Sequence, residues 1–311
     1  MSAPLDLPRW ADTVLVPAIS VVAAFLVAGL VVLGIGENPL SATRYLIQGS
    51  LGTSEGLGFT LFYMTDFIFV GLAVAVAYHA GLFNIGGEGQ ATLAGLGIAL
   101  VLNNLTFLPG FLLIPLGILG AAAFGAAWAA VPGYLQAKRG SHIVITTIMF
   151  NYIGAALMVY LLVHVLIVPG KMAPETRTFL EGGQLPKLGW VMQLFGAKLG
   201  AAPFNVSFII ALVVSYLVWL LVWRTKLGFE MRTLGVSPTA AAYAGIPYAR
   251  TVIIAMLLSG ALAGMMALNP VMGSSARLQV EFVGGAGFVG IAVSLMGRNH
   301  PLGIIVAAIL F

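Results

Sequence analysis

The chain has 311 residues, of which 60% are hydrophobic and 8% charged, and its formal net charge is +4. Soluble domains carry about 25% charged residues, so a soluble globular domain is excluded, and so small a positive excess points to neither a nucleic acid nor an acidic substrate. Cysteine is absent, which removes disulfides, thiolate nucleophiles and cysteine-ligated metals.

The composition predicts an all-α, polytopic membrane protein, because several runs exceed the roughly 18 apolar residues of a spanning helix and helices satisfy their own backbone in lipid. The first run, 13–35, follows a polar start (Met1 to Asp12) and is too long for the core of a cleavable signal. Further spans are expected at 59–78, 85–106, 109–131, 143–168, 204–223 and 251–272. A shorter apolar piece lies at 284–297 and a last one starts near 301, which makes about 8–9 transmembrane or half-membrane helices in one transmembrane domain, 1–311. The last run stops at Phe311 inside what should be a helix, so the chain is expected to be truncated at its C-terminus.

Polar residues at membrane depth are costly and need a reason. Asp66 lies deepest, within 59–78, and calls for a polar partner on another helix, for function or for structural bonding. In Gly81 to Gln90, Asn84, Glu88 and Gln90 stand among glycines between two spans. They face a solute path or cap a broken helix; alternatively they form a turn at the membrane surface, with Asn84 capping the next helix. Thr147 and Asn151, four apart, share a helical face, which lines a path or bonds a neighbouring helix. The 284–297 piece is too short to cross upright; it is a half-helix beside a solute path or a tilted helix of a tight bundle. His79, His142, His164 and His300 are too scattered for a metal site and are expected at helix ends.

Between the spans ending at Trp223 and starting at Thr251 lies a basic segment, 224–250, rich in small residues. Ser237-Pro238 is a helix start, a capping hydroxyl followed by proline, and Gly245 and Pro247 end the short helix. Gly228, Gly235 and Gly245 punctuate the segment. A smooth helix of this kind, with Pro238, Ala240 and Ala241 on it and Arg232 and Arg250 beside it, fits a groove in a partner protein.

Lys and Arg concentrate in cytoplasmic loops. With the N-terminus inside, the cytoplasmic side holds Arg9, Lys138, Arg139, Arg224, Lys226, Arg232, Arg250 and Arg298, and the outside holds Arg44, Lys171, Arg177, Lys187, Lys198 and Arg277. The short basic loops decide for a cytoplasmic N-terminus. The sequence lacks the GxxxxGK[ST] and HExxH patterns, so it holds no phosphate loop and no zinc signature of that kind. No catalytic residue and no cofactor is expected.

Four stretches in order, GLFNIGGEGQ (81–90), ITTIMFNYI (145–153), LGFEMRTLGVSPTAAAYAGI (227–246) running into SGALAG (259–264), and GFVGIAVSLMGRNHPLG (287–303), carry a resemblance. The chain resembles the permease subunits of bacterial ABC importers in the branched-chain amino acid, sugar and nucleoside group, the simple-sugar and nucleoside permeases in particular. The resemblance implies a bacterial inner-membrane subunit paired with a second permease around a central path. It implies that 227–246 contains a coupling helix seated in an ATP-binding subunit, and that an extracytoplasmic substrate-binding protein docks outside. A nucleoside or ribose-type sugar is the expected solute. The alternative, a self-sufficient ion-coupled transporter or channel using Glu88 or Asp66, leaves 224–250 unexplained.

Overall fold

The computed structural model describes residues 8, 11, 15–194, 196 and 200–311. The start of the first expected span, and the cations Arg9 and Lys198 used for orientation, lie outside the described residues. Two compact units divide at Leu57 and Gly58. Among the described residues the regular structure is helical, with isolated bridges at Glu175–Gln279 and Lys187–Asn205.

In the first unit, α1 (Val16–Gly34) turns at Gly36, whose φ of 87° is open to glycine at little cost, into α2 (Pro39–Ser50). Asn38 caps α2 by accepting the Leu40 amide at 2.9 Å. The two helices are bent by 117°. The apolar runs do not reveal α2, because Arg44 and Gln48 break its hydrophobicity.

α3 (Ser54–His79) begins just before the division; within the second unit it is buried on every side from Ile68 to Ala77 and ends at the less buried Tyr78 and His79. A helix apolar all round is enclosed by protein or faces lipid, and this stretch of α3 is enclosed by protein. α4 (Gly87–Asn104), α5 (Gly110–Arg139), α6 (Ile143–His164), α8 (Ser207–Arg224) and α11 (Tyr248–Met265) make up the bundle, and a six-residue α7 (Gly189–Leu194) lies in the long connection before α8. α4, α5 and α11 meet through glycine. A Cβ on Gly97 would come within 2.5 Å of the Gly120 carbonyl oxygen, and one on Gly264 within 2.5 Å of the Ala121 carbonyl oxygen. Backbones this close replace the hydrophobic drive that lipid cannot supply.

Each of the nine apolar runs contains a helix, but five helices among the described residues are long and apolar enough to cross a bilayer, or six if α1 and α2 form one bent span. Several expected boundaries move. The run 109–131 continues to Arg139 through Pro132, 143–168 stops at His164, and 251–272 begins at Tyr248 and ends in a π-helical turn, Leu268–Ser274. Within 224–250 the expected short helix is α10 (Pro238–Tyr243), and a second helix that the sequence does not mark, α9 (Lys226–Val236), precedes it. α12 (Ala286–Met296) has 11 residues and is about 16 Å long at 1.5 Å per residue, half a membrane. α13 (Pro301–Ala308) follows it.

Candidate functional site: a buried knot, a cleft and an exposed segment

The loop between α3 and α4 buries Ala80, Leu82, Asn84 and Gly86 and is closed by side chains. Asn84 donates through Nδ2 to Ser259 Oγ at 2.8 Å and to Gln90 Oε1 at 3.0 Å, while its Oδ1 accepts from the Gly86 amide at 2.8 Å and from Gln90 Nε2 at 3.1 Å. Ser259 Oγ in turn donates a hydrogen bond to the Ala73 carbonyl at 2.6 Å. From α6, Asn151 takes the Gly89 amide at 2.9 Å and donates to the Ile85 carbonyl at 2.9 Å, and Thr147 Oγ1 faces the Ile85 amide at 3.4 Å. Asn84 does not cap α4: its N-cap is Gly86, without a side-chain bond. Ser259, which the sequence places only within SGALAG, is the missing anchor on α11.

Glu88 leaves this knot and reaches α12. Its Oε1 accepts from the Gly285 amide at 2.9 Å and its Oε2 from the Gly287 amide at 2.8 Å. A carboxylate at a helix start satisfies amides that have no partner in the helix and lies at the positive end of its dipole. The approach needs glycine, since a Cβ on Gly287 would meet the Glu88 backbone. Gly284 and Gly285 have φ of 58° and 83°, and Glu281 shares the left-handed region at 58°.

Beside Glu88 opens a cleft of about 870 Å³, bounded by α4, α6 and the segment 280–285. Of the five expected pathway residues, Glu88 and Asn151 line it; Asn84, Gln90 and Thr147 lie behind it, fully buried and hydrogen-bonded. Tyr160, Glu281 and Phe282 also line it, and neither composition nor spacing marks them.

Asp66 finds its partner in the π-helical turn. Asn269 donates to its Oδ1 at 2.9 Å and to the Phe62 carbonyl at 2.8 Å, and accepts from Asn205 and Ser207, both at 2.8 Å. Asp66 therefore bonds structurally and does not line the cleft. All four histidines stand at helix ends: His79 and His164 end α3 and α6, while His142 and His300 are N-caps. Among the described residues no group of three His, Cys, Asp or Glu is placed to hold a metal.

In the segment after α8, Thr225 caps α9 through the Gly228 amide at 3.1 Å, and Ser237 caps α10 through the Ala240 amide at 3.2 Å. Gly245, with φ 73°, ends α10. Gly228 and Gly235 are not punctuation. They lie inside α9, where Gly228 rests on the backbone of Leu221 and Val222, and a Cβ on Gly235 would sit 2.5 Å from the His79 carbonyl oxygen. Ala241 is buried at 1%, whereas Val236 and Tyr243 are 88% and 91% exposed. Pro238 and Ala240 are exposed as well. Arg232 is half-buried, its Nε has no hydrogen-bond partner, and it walls a cleft of about 520 Å³ shared with His79, Gly81, Phe83 and Gly235.

At the other end of α5 and α6, the connection 165–206 is pinned by Glu175. It takes Lys171 Nζ and Arg277 Nη1 on Oε1, each at 2.7 Å, and Gln279 Nε2 on Oε2 at 3.3 Å. The Lys171 and Gln279 hydrogen bonds, aided by the Arg277 charge, hold its carboxyl at about 2, below the usual 4.5.

The sequence profile of the family described as branched-chain amino acid transport system / permease component matches residues 56–311. The chain is 33% identical over 308 residues to the nucleoside ABC transporter permease protein NupB of Lactococcus lactis subsp. cremoris, covering 96% of this chain and 82% of that one. It is 34% identical over 300 residues to the guanosine ABC transporter permease protein NupP of Bacillus subtilis, covering 95% and 83%. Against the glucose ABC transporter permease protein TsgB13 of Haloferax volcanii it is 30% identical over 295 residues, covering 95% and 77%. No solved structure matches the chain.

Proposed function

From the premise that the chain belongs to the permease components of branched-chain amino acid transport systems, we propose that it is the membrane subunit of an ATP-binding-cassette importer for a nucleoside or ribose-type sugar. The names of its relatives, two nucleoside-type and one glucose permease, support that solute range. The chain acts as one permease domain, 1–311, in the cytoplasmic membrane with its N-terminus inside. It works beside a second permease subunit, and a substrate-binding protein delivers the solute from outside. ATP is hydrolysed by a separate ATP-binding subunit.

One observation carries this reading. The segment within 224–250 displays Val236, Pro238, Ala240 and Tyr243 to the outside while its inner face, Gly228, Gly235 and Ala241, rests on the bundle. An exposed aromatic on a short capped helix is the kind of anchor that fills a pocket in a partner. Arg232 lines the cleft beside it, and Gly245 closes the helix.

Closure of the ATP-binding subunits pushes α10 and α9. The push meets loop 79–81 at Gly235, then the knot of Asn84, Gln90, Thr147 and Asn151, then Glu88 and α12, whose displacement reshapes the cleft. Of the pathway residues, Glu88 faces the solute, Asn151 borders the cleft, and the other three hold the loop in place. The test is co-purification from detergent of the ATP-binding subunit with this chain. Wild type retains it, and Tyr243→Asp loses it while membrane insertion is unchanged. A partner-free protein that transports guanosine on an ion gradient refutes the proposal.

A further inference from the structure

The charge of the cleft's lining carries more than its size. At about 870 Å³ it lies within the range of small-molecule sites. Glu88 and Glu281 bring two carboxylates to its wall, where His164 also stands, and among the described residues no lysine or arginine lines it. The nearby cations Lys171 and Arg277 are bound to Glu175. A phosphate or carboxylate entering the cleft thus meets like charge that is screened less than at an open surface, and meets no lysine or arginine among the described lining residues to offset it.

The same wall is rich in acceptors for hydroxyl groups. Each Glu88 oxygen takes one backbone amide. A carboxylate offers about four lone-pair sites, so each oxygen keeps one for the cleft. Two oxygens fixed side by side by two amides present a matched pair of acceptors, the counterpart of two adjacent hydroxyls. Thr92 and Asn151 add polar edges, and Tyr160 and Phe282 add flat apolar faces.

We propose that this cleft is a charge and hydroxyl filter, which admits a neutral solute whose adjacent hydroxyls donate to Glu88 and rejects the anionic counterparts of the same solute, phosphate monoesters above all. The inference rests on the reading that the cleft is the solute path, and it adds to that reading what the path refuses. Glu281 sets the field at the mouth. Its backbone is held left-handed, at φ 58°, a conformation unusual for a residue with a side chain. Phosphorylation of the solute must therefore follow transport, which places this step ahead of a kinase-type reaction on the inner side.

The absence of cysteine allows a direct test. Ala155→Cys places a single thiol in the cleft, and Ala242→Cys, exposed on α10, gives a reference thiol. The purified full chain in detergent micelles is reacted with methanethiosulfonates carrying a trimethylammonium or a sulfonate group. The cationic reagent is expected to outpace the anionic one at Ala155→Cys at least tenfold more than at the reference. Glu281→Lys, a surface change, is expected to erase most of that preference, and Glu88→Gln with Glu281→Gln all of it. A ratio equal to the reference, or one unmoved by Glu281→Lys, overturns the proposal.

Solute protection separates the two readings. Guanosine is expected to slow labelling at Ala155→Cys, guanosine 5′-monophosphate to leave it unchanged, and 2′,3′-dideoxyguanosine to protect at least tenfold more weakly than guanosine. Equal protection by guanosine and its monophosphate overturns the filter. Charge preference with protection by ribose or glucose but not by guanosine keeps the filter and overturns the nucleoside assignment.

Discussion

The loop 80–87 and the segment 226–247 draw on the same materials, glycine and small residues with a few polar side chains, and end in opposite states. In the loop the named polar groups have partners from other elements: Asn84 from α4 and α11, Ile85 from α6. In the segment Val236, Pro238, Ala240 and Tyr243 turn outward, Tyr243 at 91% exposure. The difference lies in neighbours rather than in composition. Where α6 and α11 supply carbonyls and hydroxyls, polar residues close on themselves; where none of the described residues reaches, the same residue types remain open for another molecule. Buried groups left unpaired are costly, whereas unpaired exposed groups are not.

The largest effect is expected from cutting the loop. Asn84→Leu strands the Gly86 amide and the Gln90 side chain, at roughly 1–3 kcal/mol for each buried group left unpaired. A loss of about 3 kcal/mol or more is expected, read as a lower unfolding midpoint in detergent. A midpoint within a degree of wild type would mean that water replaces the missing amide and that the loop is more open than the knot implies. Next comes the contact that joins the two regions. Gly235→Val needs Cβ space that the His79 carbonyl occupies, so we expect transport to fall more than tenfold while the fold survives. Measured uptake close to wild type would show that α9 can lift off the loop without consequence.

Ala240→Asp, on the exposed face, is expected to leave the unfolding midpoint within about 0.5 kcal/mol, as surface changes do, and to reduce uptake several-fold. A matching loss of stability would place Ala240 inside the fold. The smallest effect lies far from both regions, at Glu175. Its carboxyl is held at about 2, below its ordinary 4.5. A depressed carboxylate gives stability that is complete above 4.5 and is lost as pH falls from 4.5 toward 2. Protection of the 171–187 stretch from proteolysis should decline across that window, and in Glu175→Gln it should be low already at pH 7 and flat below. A pH profile unchanged by Glu175→Gln would remove the carboxylate as its cause.

The helices were legible because lipid enforces long apolar runs, and each of the nine runs holds one. α2 escaped because Arg44 and Gln48 break its apolar run, and amphipathic helices leave no mark in a search for spans. The 284–297 piece showed itself as half a helix by its length, but its partner, Glu88, sits 197 residues from Gly285 in sequence, and no local pattern records that pairing. The cap at Ser237 was readable, since capping is a contact over three residues. Gly228 and Gly235 were not, because a glycine that ends a helix and one that admits a neighbouring backbone look alike in sequence. Tyr160, Glu281 and Phe282 meet only through the packing of α6 against the segment 280–285, and so their meeting is visible only in three dimensions.

The touch of Gly235 on the backbone at His79 and Gly81 has a mechanical consequence. Side chains in contact yield by changing rotamer, and part of any displacement is lost in that compliance. Two backbones in van der Waals contact have no rotamers to spend, and protein interiors resist compression. Here the joint acts as a hard stop, so a shift of α9 toward the bundle is handed to the next segment at nearly full amplitude, while a shift away from it transmits nothing. The device is a pushrod, stiff in one direction and slack in the other.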